Sequence, residues 1–214
     1  MYKWCSHTFN IIKGVCPHNC NYCYLKRFPI GPLRFDEKEL KTNLGRDNTI
    51  FVGSSCDMFA HEIPQAWIIR VLEYCRKYPD NHYVFQTKNP LSFIEFRHEF
   101  PPKTLLGVTL ETNRETKNIS HAPNPQTRAN DFKNPLLSGF SKFVSVEPVL
   151  DFDVESFAKM IQDIHPSFVS IGADSKNHGL NEPSATDIKK LLQSLIDMDI
   201  KIKDNLRRLT GTWP

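Results

Sequence analysis

The run Gly14-Val15-Cys16-Pro17-His18-Asn19-Cys20-Asn21-Tyr22-Cys23-Tyr24 sets three cysteines at the spacing C-x3-C-x2-C in a short polar loop. Thiolates so spaced can converge on one metal centre, supplying three soft sulfur ligands of the kind iron–sulfur clusters use. No fourth cysteine follows at matching spacing. A 4Fe–4S cube held by three cysteines keeps one iron without a protein ligand, and a small chelating cofactor can take that position. The competing reading is a structural zinc site, with His7 or His18 completing a tetrahedron around Cys16, Cys20 and Cys23. Zinc sites usually come as two paired ligand knuckles, and no second pair lies downstream. A disulfide reading fits less well, because three clustered cysteines without an export signal suit a reducing cytosol. Cys5, Cys56 and Cys75 are widely spaced and make no second motif.

Working outward, Phe9–Lys13 reads as a short strand feeding this loop, and residues 25–35 as a loop broken by Pro29 and Pro32. Asp36 caps an expected helix over 37–44. Apolar runs at 49–53, 82–86, 104–110, 142–146, 167–171 and 200–203 read as further strands. Helical patterns at 64–77, 90–98, 153–164 and 184–198 lie between them, with Pro64 opening the first and Ser184 capping the last. Residues 112–135, rich in Asn and Pro, read as at most a short helix near 113–118 and then a long loop, a candidate lid. Strands alternating with helices imply parallel pairing and right-handed crossovers. Six such units and a final strand predict an α/β fold, a partial (β/α)6 open TIM-like barrel of parallel strands with outer helices. A closed eight-stranded barrel takes about 250 residues, and this chain has 214.

That length predicts one domain over 1–214. A balance of 27 Lys and Arg against 24 Asp and Glu leaves a net charge of +3, too small to announce a nucleic-acid binder. No apolar run approaches the roughly 20 residues that span a bilayer, and the first residues lack a signal-peptide core. A cytoplasmic protein is expected, with no membrane partner.

The cysteine spacing, with Tyr22 just before the third cysteine, resembles the signature of the radical S-adenosylmethionine (SAM) superfamily. The resemblance continues through Phe51–Phe59, Gln86–Pro90, Leu106–Thr112, Phe143–Leu150 and Lys201–Leu206, which look like successive motifs of a compact radical SAM family associated with phages and prophages. The pattern C-x3-C-x-Y-C-Y and the pair Thr87-Lys88 are also similar to those of spore photoproduct lyase, which repairs a thymine dimer in DNA. The resemblance implies that Cys16, Cys20 and Cys23 hold a 4Fe–4S cluster whose open iron is chelated by SAM. One electron from a flavodoxin- or ferredoxin-type donor then cleaves SAM to a 5′-deoxyadenosyl radical that takes hydrogen from a substrate.

Ligands of parallel sheets bind at the carboxyl ends of the strands. On the cofactor side this places Ser54, Ser55 and Asp57 after the second strand, Lys88 after the third, Glu111 after the fourth, Ser145 and Glu147 at the fifth and Lys203 after the last. Lys88 can pair with the SAM carboxylate, Glu111 can accept the ribose hydroxyls, and the Tyr22 backbone can meet the adenine edge. The similarity to the lyase implies a hydrogen-donor role for Cys56, against the plainer reading of a buried free thiol. It also points to a pyrimidine base, a nucleotide or phage DNA as substrate, with Arg114, Lys117, Arg128, Lys133, Arg207 and Arg208 available to phosphates. A peptide or small metabolite is the alternative substrate, and a non-enzymatic zinc or iron–sulfur module the alternative function.

Overall fold

The computed structural model describes residues 2–176 and 178–211. Its centre is a seven-stranded sheet in the order β1 (His7–Phe9), β4 (Thr49–Val52), β5 (His82–Thr87), β6 (Thr104–Thr109), β7 (Ser141–Val146), β8 (Phe168–Ile171) and β9 (Ile200–Ile202). Every neighbouring pair in it is parallel. The crossovers carry α1 (Gln65–Arg76), α2 (Leu91–Glu95), α3 (Pro125–Phe132), α4 (Val154–Gln162) and α5 (Ala185–Ser194), with α6 (Arg207–Thr210) after β9. Since β1 and β9 form the two edges of the sheet, the barrel is partial and open, as the alternation of elements predicts.

Side chains alternate across each strand with a period of two. One set, including Ile50, Val52, Tyr83, Phe85, Leu106, Val108, Val144, Val146, Val169 and Ile171, shares a buried cluster with Val71, Leu72, Phe157, Ile161, Ile188 and Leu191 of the helices. The other set forms a second, smaller core. Val84, Phe143 and Phe168, with Phe51 and Leu105 at its margin, pack against Tyr2, Trp4 and Cys5 of the N-terminal segment. Tyr2 stacks on Trp4 at 4.8 Å and meets Phe143 edge-on at 5.8 Å. The first residues therefore pack aromatic rings against the inner face of the barrel.

Gly107 makes that inner layer possible. A Cβ there would lie 2.2 Å from two ring atoms of Phe143, which is fully buried and stacked on Phe168 at 5.0 Å. Removing a glycine from a strand gains about 0.5–1 kcal/mol, whereas overpacking a core costs about 1–3 kcal/mol. Gly107→Ala is therefore expected to lower the thermal midpoint by several degrees, at about 2–4 °C per kcal/mol for a chain of this size. A melting curve identical to wild type would show that the Phe143 ring swings aside at no cost.

Three expectations are corrected. The first strand lies at His7–Phe9, not 9–13, because the Asn10 side chain leaves the sheet to accept the Ser55 amide at 3.0 Å. Ile12–Lys13 (β2) instead pairs antiparallel with Arg34–Phe35 (β3), a ribbon that forms the neck of the cysteine loop. Gly14 suits this neck: its φ is +105°, and a Cβ would strike Pro32 O at 2.2 Å. The helix expected over 37–44 is a 3-10 turn, Glu37–Lys41, with the Asp36 side chain accepting from the Lys38 amide. Finally, residues 112–135 are not one long loop. They carry α3, with Asn124 as N-cap and Pro125 in the first turn, and no helix forms at 113–118.

Candidate functional site

A cavity of about 670 Å³ opens at the carboxyl ends of the parallel strands. Cys16, Cys20 and Cys23 line one side of it, and Ser145, Glu147 and Lys203 line another. The cysteine loop is folded by its own turns: the Asn19 amide donates to Cys16 O at 3.0 Å and the Cys23 amide to Cys20 O at 3.2 Å. Asn19 takes a positive φ of 45°, which asparagine tolerates. The loop is then tied to the segment after β6, with Asn21 N donating to Ile119 O at 2.8 Å and His121 N to His18 O at 2.7 Å. Residues 116–121 are thus a brace for this loop.

None of the cysteines forms a disulfide. Among the described residues no three His, Cys, Asp or Glu side chains close on a single ion. The two histidines considered for zinc are occupied elsewhere. His18 is buried with Nε2 on Asp57 at 2.9 Å, and His7 lies exposed at the start of β1 beside Ser6. Thiolates on three different irons of a cube need not converge on one point, and three unpaired thiols facing one cavity suit that donor set.

Of the other predicted residues, Ser54, Ser55, Asp57, Lys88, Ser145, Glu147, Lys203, Tyr22 and Cys56 all line this cavity. They differ in what they leave free. Asp57 is saturated: it accepts from His18, from Thr87 Oγ1 at 2.9 Å, from Lys88 N at 2.8 Å and from Phe59 N at 3.1 Å. Burial works to raise its pKa, but His18 and these donors outweigh it and hold the carboxyl below the usual range. Asp57 therefore fastens the cysteine loop to the ends of β4 and β5. Ser55 Oγ, by contrast, is buried without a hydrogen-bond partner among the described residues. Glu147 and Lys203 form an ion pair, and the Lys203 ammonium lies 4.4 Å from the centre of the Tyr2 ring. The Cys56 thiol is almost fully buried beside the Cys16 sulfur. That contact lowers the pKa of Cys16 to about 6 and pushes Cys56 well up.

Glu111 is placed differently from the rest. It is 1 % exposed and lies behind Tyr22, outside the cavity lining. Its Oε2 accepts from Arg128 Nη1 at 2.6 Å, its Oε1 accepts the Tyr22 hydroxyl, and the Lys88 ammonium is 3.6 Å away. Arg128 is 0 % exposed and also donates to Thr109 O and Pro123 O. Burial would raise Glu111, but Arg128 and Lys88 bring its pKa down to about 2. Both carboxylate oxygens are thus engaged by the protein rather than open to a ribose. Arg128 is likewise closed to phosphates, and Arg114 is spent on Asp151 and Asp153.

Sequence reasoning missed several residues of the site. Tyr2 reaches the cavity floor and donates from its hydroxyl to Gln86 Oε1 at 2.8 Å, with Ser145 Oγ equally near. Gln86 in turn donates to Thr109 Oγ1 at 2.8 Å. Gln86 and Thr109 lie at the polar carboxyl ends of β5 and β6, which is legible in the sequence, and the structure turns both inward to the cavity. Nothing local marks Tyr2, whose position depends on the whole barrel.

The fold has known counterparts. A spore photoproduct lyase mutant superposes with a TM-score of 0.59 at 12% identity, over 92% of this chain and 63% of that one. The lyase complexed with dinucleoside spore photoproduct gives 0.57 at 12% identity, over 88% and 60%. Streptococcus suis SuiB gives 0.62 at 12% identity, over 97% and 51%. At such identities the likeness is one of fold, and it agrees with the partial barrel. The chain spans about three fifths of the lyase and about half of SuiB. No curated protein matches it. A family model does, over residues 1–175, and the chain accordingly belongs to the family described as protein of unknown function DUF5131.

Proposed function

We propose that this chain is a radical SAM enzyme. The observation that carries the reading is the meeting of three unpaired thiols, at the spacing C-x3-C-x2-C, with the cavity at the carboxyl ends of a partial parallel barrel. A spore photoproduct lyase structure of similar fold contains AdoMet. Cys16, Cys20 and Cys23 would hold a 4Fe–4S cluster, and SAM would lie beside them. Bound together, the two supply reductive cleavage of the sulfonium to a 5′-deoxyadenosyl radical, which abstracts hydrogen from a substrate.

The chain's own residues do the rest. Lys88 offers the cavity an ammonium whose charge Glu111 and Cys20 favour despite burial, suited to a carboxylate. The orphaned Ser55 hydroxyl suits a polar cofactor atom, since a buried hydroxyl without a partner costs about 1–3 kcal/mol. Tyr2, Gln86, Thr109 and Ser145 make a polar floor, with the aromatic layer packed beneath it. Exclusion of water strengthens the polar contacts that orient a bound ligand there. The Glu147–Lys203 pair on the opposite wall presents an acceptor and a donor to the substrate side.

The substrate class follows the lyase, which has been captured with a dinucleoside: a pyrimidine base, a nucleotide or DNA, with the electron for the cluster coming from a flavodoxin- or ferredoxin-type donor. Anaerobic reconstitution with iron and sulfide, followed by dithionite and SAM, tests the chemistry. The expected result is 5′-deoxyadenosine, and deuterium from a labelled substrate should appear in it. Tightly bound zinc with no SAM cleavage would instead establish a non-enzymatic module.

A further inference from the structure

Ser120 is buried beside the cysteine loop, and its Oγ lies 3.2 Å from Cys20 Sγ and 3.1 Å from His18 O. The same oxygen accepts the Ala122 amide at 3.1 Å, and the Ser120 amide donates to Thr116 O at 2.9 Å. The serine is therefore held in place by its own segment. That segment is bonded to the loop on both sides of Cys20, through His121 to His18 O and through Ile119 O to Asn21.

A hydroxyl has one proton, and this one has two acceptors within reach. His18 O already accepts from His121 N and is neutral. The sulfur of a cluster ligand carries negative charge and can only accept. Hydrogen bonds to an ionised acceptor are roughly twice as strong as neutral ones, so the proton turns to the sulfur. We propose that Ser120 donates a hydrogen bond to the Cys20 thiolate and thereby raises the reduction potential of the cluster, an inference that rests on the radical SAM reading. Reduction adds an electron to a centre already charged by its thiolates. A donor on one sulfur draws density away and stabilises the reduced state, and hydrogen bonds to sulfur are among the factors that set such potentials. Ser120 does not line the cavity and is a positioning residue.

The test compares wild type, Ser120→Ala and Ser120→Thr after anaerobic reconstitution, with iron and sulfide counted in each. Midpoint potentials come from a dye-mediated titration followed by the paramagnetic signal of the reduced cluster. Ser120→Ala is expected to fill to the wild-type iron content and to titrate at a more negative potential. Ser120→Thr, which keeps the hydroxyl, should stay near wild type. Should Ser120→Ala not fill, Ser120→Gly removes the same donor and is titrated in its place. A filled variant lacking the hydroxyl at the wild-type potential overturns the role of Ser120 and leaves the radical SAM reading standing. Wild-type protein that takes up no iron and sulfide overturns both.

Discussion

Arg128→Leu is expected to lower the unfolding free energy by about 3–5 kcal/mol, the usual cost of leaving a buried charge without its partner. Both members of the pair are essentially sealed from water, with side-chain exposures of 0 % and 1 % for Arg128 and Glu111. The remaining cation, Lys88, stands at 3.6 Å from the other carboxylate oxygen and faces the cavity. It cannot replace the 2.6 Å bond or the donors that Arg128 gives to Thr109 O and Pro123 O. For a chain of this size the loss corresponds to a fall of about 6–20 °C in thermal midpoint. Urea unfolding followed by circular dichroism measures it. The double variant Glu111→Leu with Arg128→Leu should recover part of the loss, because neither charge is then buried alone. A single variant as stable as wild type would show that Lys88 alone neutralises Glu111. The pair also sets an acid limit. Glu111 has a folded pKa of about 2, below the usual glutamate value of 4.5. Its contribution is therefore complete above about pH 4.5 and is lost as pH falls toward 2. Arg128→Leu should blunt that acid dependence.

This pair also shows where sequence reading stops. The strand-end argument puts Glu111 at the carboxyl edge of β6, and the structure agrees. It does not tell which side of Tyr22 the carboxylate occupies, because that depends on an arginine 17 residues later in chain order. Arg128 itself sits among Asn and Pro residues, in a stretch that reads as a polar loop. Its helix buries Pro125, Arg128, Ala129 and Phe132 at helical spacing, but an arginine and a proline among the four hide the apolar pattern. The capping signal was present in Asn124-Pro125 and is legible only as a start without a pattern to follow. The strands were easier, because parallel strands buried on both faces are continuous apolar runs. The same property hides which of their residues face inward. Phe143 and Val144 read alike, yet one packs on Tyr2 in the barrel and the other in the core shared with the helices.

Cys16→Ala, Cys20→Ala and Cys23→Ala are each expected to abolish 5′-deoxyadenosine formation, while Cys56→Ala keeps the cluster. Losing a partner that merely supports a metal ligand costs roughly 10–100-fold, so removing a ligand itself should cost at least about 100-fold. The three thiols are not equivalent in their surroundings. Cys20 is within reach of Ser120, Cys16 neighbours Cys56, and burial raises the pKa of Cys23. A ligand role predicts the same loss for all three despite these differences. A packing role predicts losses that follow burial, with buried Cys56 the most damaging of the four. Iron and sulfide content separates these outcomes without reference to turnover. Cys56 supplies the control because it reaches the same cavity from the loop after β4 and lies outside the cysteine motif. If Cys56→Ala empties the site as fully as Cys20→Ala while its circular dichroism and thermal midpoint stay at wild type, four thiols hold the metal. No iron is then left open for SAM, and the radical reading fails on ligand count alone.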